Sequence, residues 1–109
     1  MAEELTVFDP AEYLDSDEAK TYFLDDAFET GDPRYIAHAI GIVARAAGMS
    51  RLASETGLAR EALYRSFSEE GNPSLKSLLA VLAALGYRLT VAAAEQKTAP
   101  DLTGSEAAE

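Results

Sequence analysis

Arg60, Glu61, Tyr64 and Arg65 stand at the spacing of one helix side, and their types suit the reading of a nucleic-acid surface. Arginine offers a bidentate fork to guanine O6 and N7, and each good pair discriminates between bases by roughly 1–3 kcal/mol. Glu61 can accept from a cytosine amino group, and Tyr64 can meet a thymine methyl or a phosphate. The bland alternative is that Arg60 and Arg65 are solvated surface charges. Arg60 beside a helix N-terminus opposes the macrodipole, so local stability does not account for its placement.

These residues need a scaffold, and the stretch from Gly48 to Phe67 supplies one. Ser50 is the expected N-cap of a helix over 51–56, with Leu52 and Ala53 inward. Gly57 ends that helix, where a left-handed backbone carries no Cβ penalty. Leu58 leads into a second helix, 60–67, buried through Leu63 and Phe67. A small residue before the turn, a glycine in it and apolar anchors after it fit two steeply crossing helices. This is the helix-turn-helix arrangement, placed at 50–67, whose second helix lies in the major groove. An ordinary helical hairpin remains the competing reading.

The 109 residues make one domain with room for a modest core, 48% of them hydrophobic. There is no cysteine, which excludes disulfides and thiolate metal sites and fits a reducing cytoplasm. The N-terminus is acidic and lacks the pattern of a signal peptide, and no apolar run reaches membrane-spanning length. A net charge of −10 looks wrong for a DNA-binding protein until it is divided along the chain. Residues 1–32 hold eleven acids and one lysine; residues 33–94 hold seven bases and four acids. The mildly basic centre suits phosphates. The acidic N-terminal third needs a different use.

Along the chain, residues 1–15 read as irregular, with Phe8, Tyr13 and Leu14 as anchors. Asp15 or Ser16 caps a helix running to about Thr30, with Ala19, Phe23 and Ala27 on one face. Asp25, Asp26 and Glu29 crowd its last turns, where the dipole disfavours negative charge. Gly31, Asp32 and Pro33 end one helix and start the next, 33–47, whose stripe is Ile36, Ile40, Val43, Ala44 and Ala47. After a turn-rich loop, a helix over 74–85 points Leu75, Leu78, Leu79, Leu82 and Leu85 inward. Residues 87–92 alternate like a strand, which cannot stand alone and requires a partner strand. Residues 95–109 read as a disordered acidic tail behind a single domain spanning 1–94.

No catalytic constellation is present. His38 is the only histidine and lies off its helix's apolar stripe, so it reads as an exposed polar residue. One histidine without cysteine makes a metal site improbable. No cofactor is expected, and the chain reads as a non-enzyme.

Five blocks carry a resemblance: Phe-Asp-Pro-Ala-Glu-Tyr-Leu at 8–14, Tyr-Phe-Leu-Asp-Asp-Ala-Phe-Glu-Thr-Gly-Asp-Pro at 22–33, the run at 36–49, Thr-Gly-Leu-Ala-Arg-Glu-Ala-Leu-Tyr-Arg at 56–65 and the run at 71–86. In this order they resemble the addiction-module antidote proteins, the HigA-like antitoxins with a lambda-repressor-type helix-turn-helix. The resemblance implies an all-α fold of that type, with an extra N-terminal helix and a short C-terminal β-strand. It implies an antitoxin that neutralises a small basic RelE/HigB-like toxin and, as a homodimer, represses its own operon at the promoter DNA. Carried over by position, Arg60, Glu61, Tyr64 and Arg65 read bases, while Ser50, Arg51, Asn72, Ser74 and the neighbouring Lys76 approach phosphates. Ala59 departs from the pattern, standing where relatives often have a serine that caps the recognition helix. The acidic segment then suits a cationic toxin, with Asp25, Asp26 and Glu29 as charges and Phe8, Tyr13 or Tyr22 as anchors. A free-standing helix-turn-helix regulator without a toxin is the alternative. A protein-interaction module that no longer binds DNA is the third reading.

Overall fold

The computed structural model describes residues 16–94, and they form five helices. These are α1 (Asp17–Glu29), α2 (Pro33–Ala47), α3 (Met49–Thr56), α4 (Arg60–Ser66) and α5 (Leu75–Ala84). Residues 1–15 and 95–109, with the expected roles of Phe8 and Tyr13 and the expected tail, lie outside the described residues. The described part is all-helical.

Local chemistry starts three of these helices, two of them at the expected caps Ser16 and Asp32 and the third at Ser74, which was expected inside its helix. The Ser16 hydroxyl accepts from the Ala19 N–H at 3.0 Å, with Asp17 and Glu18 in the favourable first turn. The Asp32 carboxylate accepts from Arg34 N–H at 3.0 Å, and Pro33 opens α2. The Ser74 hydroxyl accepts from Ser77 N–H at 3.1 Å at the start of α5. Ser50 is not a cap. The helix α3 starts at Met49 directly behind Gly48, which flanks both α2 and α3 and leaves Ser50 inside the first turn.

The helix α2 is the centre of the molecule. Its residues 39–44 are all buried, so the expected stripe of Ile40, Val43 and Ala44 widens to include Ala39, Gly41 and Ile42. Around it pack Leu24 and Ala27 from α1, Met49 and Leu52 from α3, Leu63 and Phe67 from α4, and Val81 and Leu82 from α5. At Gly41 the backbone of α2 runs against the end of α4, and a Cβ there would collide with the Phe67 carbonyl.

Two expectations at the C-terminal end are corrected. Leu75 and Leu79 point outward, at 66% and 43% exposure, while Leu78 and Leu85 are half-buried and Leu82 fully buried. Val81 and Leu82 set the inward face, which rotates the Leu75–Leu79 side away from the core. Residues 87–94 form no strand: they are non-helical and unpaired among the described residues. A strand needs a neighbouring ladder, and the described part of one chain provides none.

Candidate nucleic-acid interface and acidic face

The helices α3 and α4 are joined by Gly57–Ala59. Gly57 adopts a left-handed conformation, φ 78°, and its N–H donates to the Ala53 carbonyl at 3.0 Å. Thr56 stiffens the connection. Its hydroxyl donates to the Leu52 carbonyl at 2.7 Å and accepts from Leu58 N–H at 3.2 Å. The helix α4 is then pinned by two buried side chains, Leu63 and Phe67.

With those two inward, Arg60, Glu61, Tyr64 and Arg65 are all solvent-exposed on the other side of α4, as the spacing predicts. The Arg60 guanidinium lies over the Tyr64 ring, 5.5 Å from its centroid. Such an exposed cation–π contact is worth about 0.5–1 kcal/mol. It fixes the two foremost groups of this face relative to each other. Ala59 takes the extended conformation of an N-cap but makes no side-chain bond to α4. The first turn of that helix therefore has no side-chain acceptor for its free N–H groups.

The other expected DNA-contacting residues divide. Asn72 and Lys76 are exposed beside the α4–α5 loop. The Ser74 hydroxyl is occupied in capping α5 and in a 3.1 Å bond to Ser77. Arg51 is engaged internally. Its Nε donates to Glu55 at 3.1 Å and one terminal nitrogen to the Ala84 carbonyl at 3.1 Å, tying α3 to the end of α5.

A cleft of about 420 Å³ beside Tyr64 contains residues to which the sequence assigns no functional role: His38, Arg45, Glu69 and Glu70. His38 is half-buried, which corrects the expectation of an exposed residue. Its Nε2 lies 3.8 Å from Glu69, and its Nδ1 is buried without a hydrogen-bond partner among the described residues. Arg34 Nε also reaches this loop, donating to the Glu69 carbonyl at 3.3 Å. The sequence clue was available for Arg45 alone, an exposed cation in the last turn of α2. For Glu69 no local signal exists, because the loop is folded back by tertiary contact.

A second surface lies on α1. Glu18, Tyr22, Asp25, Asp26 and Glu29 recur at helical spacing and are all exposed, Tyr22 at 67%. Leu24 and Ala27, on the opposite side, are buried against α2. No basic residue stands in the last turn of α1 to balance these acids. The arrangement is an anionic face with an aromatic at its middle, suited to a cationic surface and not to a phosphate backbone.

Among the described residues no group of three or more histidines and carboxylates could hold a metal ion, and no helix is long and apolar enough to cross a membrane.

A small helical core that displays one arginine–tyrosine helix and one acidic helix defines a class of all-helical proteins with two oppositely charged faces. Within that class the chain belongs to the family described as "Probable addiction module antidote protein", whose model matches residues 4–93. It is also 36% identical over 91 residues to an uncharacterized protein of Haemophilus influenzae strain Rd, covering 84% of this chain and 94% of the relative. No solved structure matches.

Proposed function

We propose that this protein is the antitoxin of a type II toxin–antitoxin module, neutralising a small basic RNA-cleaving toxin of the RelE/HigB type and repressing its own operon. The observation that carries the reading is family membership across residues 4–93, which spans both the acidic helix and the α3–α4 unit. In this reading α3 and α4 are a helix-turn-helix of the lambda-repressor type and α4 enters the major groove. Arg60, Glu61, Tyr64 and Arg65 face base edges, and Asn72 and Lys76 approach phosphates at its flank. A homodimer presents two such helices to half-sites one DNA turn apart, roughly 34–36 Å. The acidic face of α1 receives the cationic toxin. The site of action is the cytoplasm, where both RNA and promoter are met.

Co-expression with the small reading frame adjacent to this gene tests the first half. That frame arrests growth alone, and this protein restores growth and co-purifies with its product. A harmless neighbour or the absence of a complex overturns the antitoxin reading and leaves a solitary regulator. Mobility shift on the promoter tests the second half. Arg60→Ala with Arg65→Ala removes two forks worth about 1–3 kcal/mol each and abolishes specific retardation. Wild-type binding falls steeply with added salt. A variant that binds as well as the wild type would refute the assignment of α4 as the reading helix.

A further inference from the structure

The acidic helix and the segment after α5 meet along a cleft of about 260 Å³. Its floor is apolar: Leu24 and Leu82 are buried core residues, and Phe28 is half-buried beside them. One wall is α1, which contributes the exposed carboxylate of Asp25. The other is the chain just past Gly86, which contributes Arg88, Leu89 and Thr90, all exposed. A 3.0 Å hydrogen bond between the Tyr87 hydroxyl and Thr21 of α1 ties the two walls together. Tyr87 N–H donates to the Leu82 carbonyl at 2.8 Å and Gly86 N–H to Ala83 at 3.0 Å, around a left-handed turn at Gly86. The second wall is thereby fixed to the end of α5. The cleft stands open before anything binds, and a group entering it meets a preorganised surface.

Sites that bury a drug-sized ligand run to about 300–1,000 Å³. This cleft is smaller and suits a single inserted side chain. Charge decides whose. Asp25 belongs also to the acidic face of α1, where the exposed Tyr22 and Glu29 stand one turn before and one turn after it. The cleft therefore opens onto that face. A second copy brings a second set of the same acids, since residues 1–32 carry eleven of them and one lysine. Phosphate is repelled by the same carboxylates. A basic protein gains twice: its cations meet Asp25, Asp26 and Glu29, and an apolar side chain among them leaves water for the floor. Arg88 on the far wall confines the partner's cations to the α1 side.

We propose that this cleft is the anchor pocket of the toxin interface. A large apolar side chain of the basic toxin, flanked by a lysine or arginine, inserts between α1 and residues 89–90. The proposal rests on the antitoxin reading and adds a division of labour to it. The exposed acids steer the encounter and act on the association rate. The desolvated side chain in the cleft holds the complex and acts on the dissociation rate. Salt separates the two, because at about 1 M the screening length is about 3 Å and steering has gone. The complex that persists at that salt depends on the cleft.

Because the chain has no cysteine, Thr90→Cys introduces a sole thiol at the rim. With toxin in excess its alkylation slows on the order of tenfold or more, since only the free fraction reacts. Ser54→Cys, exposed on α3 and outside the cleft, reacts equally fast with and without toxin. Thr90→Trp fills the cleft without changing the charge. It weakens toxin binding by about thirtyfold or more, at high salt as at low, with an unchanged thermal midpoint. A Thr90→Cys thiol equally reactive in the complex overturns the anchor and leaves the toxin on the acidic face alone. So does a Thr90→Trp variant that binds like the wild type, or a wild-type complex that dissociates at about 1 M salt. A thiol already protected in the free protein shows that a second copy fills the cleft and overturns the proposal. A wild type that forms no complex at any salt overturns the antitoxin reading itself, and the anchor with it.

Discussion

The position of the α4 face depends on a residue that has no side chain. Gly41 lies in the middle of α2, where alanine would ordinarily favour the helix by about 0.8–1.0 kcal/mol. Here a Cβ would meet the carbonyl oxygen, carbonyl carbon and Cβ of Phe67. Backbone atoms cannot rotate away, so the two helices would have to separate. Overpacking of this kind costs roughly 1–3 kcal/mol and exceeds the propensity gain. Gly41→Ala is therefore expected to lower the urea midpoint of unfolding, corresponding to a net loss on the order of 1–2 kcal/mol. A midpoint equal to or above that of the wild type would mean that the end of α4 yields at little cost. The sequence did not disclose this contact, because a glycine facing another helix's backbone has the same neighbours in sequence as any helical glycine. The outward set of Arg60, Glu61, Tyr64 and Arg65 was legible because it needed only Leu63 and Phe67 as inward markers. The contact of Arg51 with the Ala84 carbonyl was hidden for the opposite reason: its partner is thirty-three residues away.

Whole elements show the same division between local and distant causes. The starts of α1 and α2 could be read from Ser16 and Asp32, since a cap and the helix it closes are sequence neighbours. The start of α3 could not, because α2 and α3 share Gly48 and Ser50 falls inside the helix. The inward face of α5 was placed about one residue step off. Val81 looked no different from five leucines until the neighbouring helices selected it. Residues 87–92 carry the alternation of a strand, yet alternation specifies only a propensity and the ladder comes from elsewhere. The helix α4 is the element with the most to gain locally. It is seven residues long, and its N-cap, Ala59, is already extended at φ −65° and ψ 142° without a side-chain bond. Ala59→Ser supplies an acceptor to that first turn and stabilises the protein by about 0.5–2 kcal/mol. Thermal unfolding reads this directly. No gain in the midpoint would show that the first turn of α4 is satisfied by other means.

On the scale of the molecule, charge is sorted by helix. The acids of α1 are exposed opposite its buried side, the arginines of α4 are exposed opposite Leu63, and residues 71–94 carry no acid of their own. This sorting was visible in the sequence as a division of bases and acids along the chain. The convergence of Glu18, Tyr22, Asp25, Asp26 and Glu29 on one face followed from helical spacing alone. Their placement costs stability. Asp25 and Glu29 repel at i,i+4, and all three late acids sit at the negative end of the helix dipole. Replacing them as Asp25→Asn, Asp26→Asn and Glu29→Gln is therefore expected to leave the fold as stable as before or slightly more so. Weakened toxin binding in that variant could not then be ascribed to unfolding. Exposed pairs contribute about 0.2–1 kcal/mol each, so the triple change should weaken toxin binding on the order of tenfold at low salt. The loss falls mainly on the association rate and shrinks as salt screens the field. Promoter binding moves the other way or not at all, since three fewer negative charges reduce repulsion from phosphate. Opposite responses to the same three substitutions would separate the two surfaces functionally. Toxin affinity unchanged at low salt would remove α1 from the toxin interface and leave its acidic face as a cost to the helix with no compensating contact.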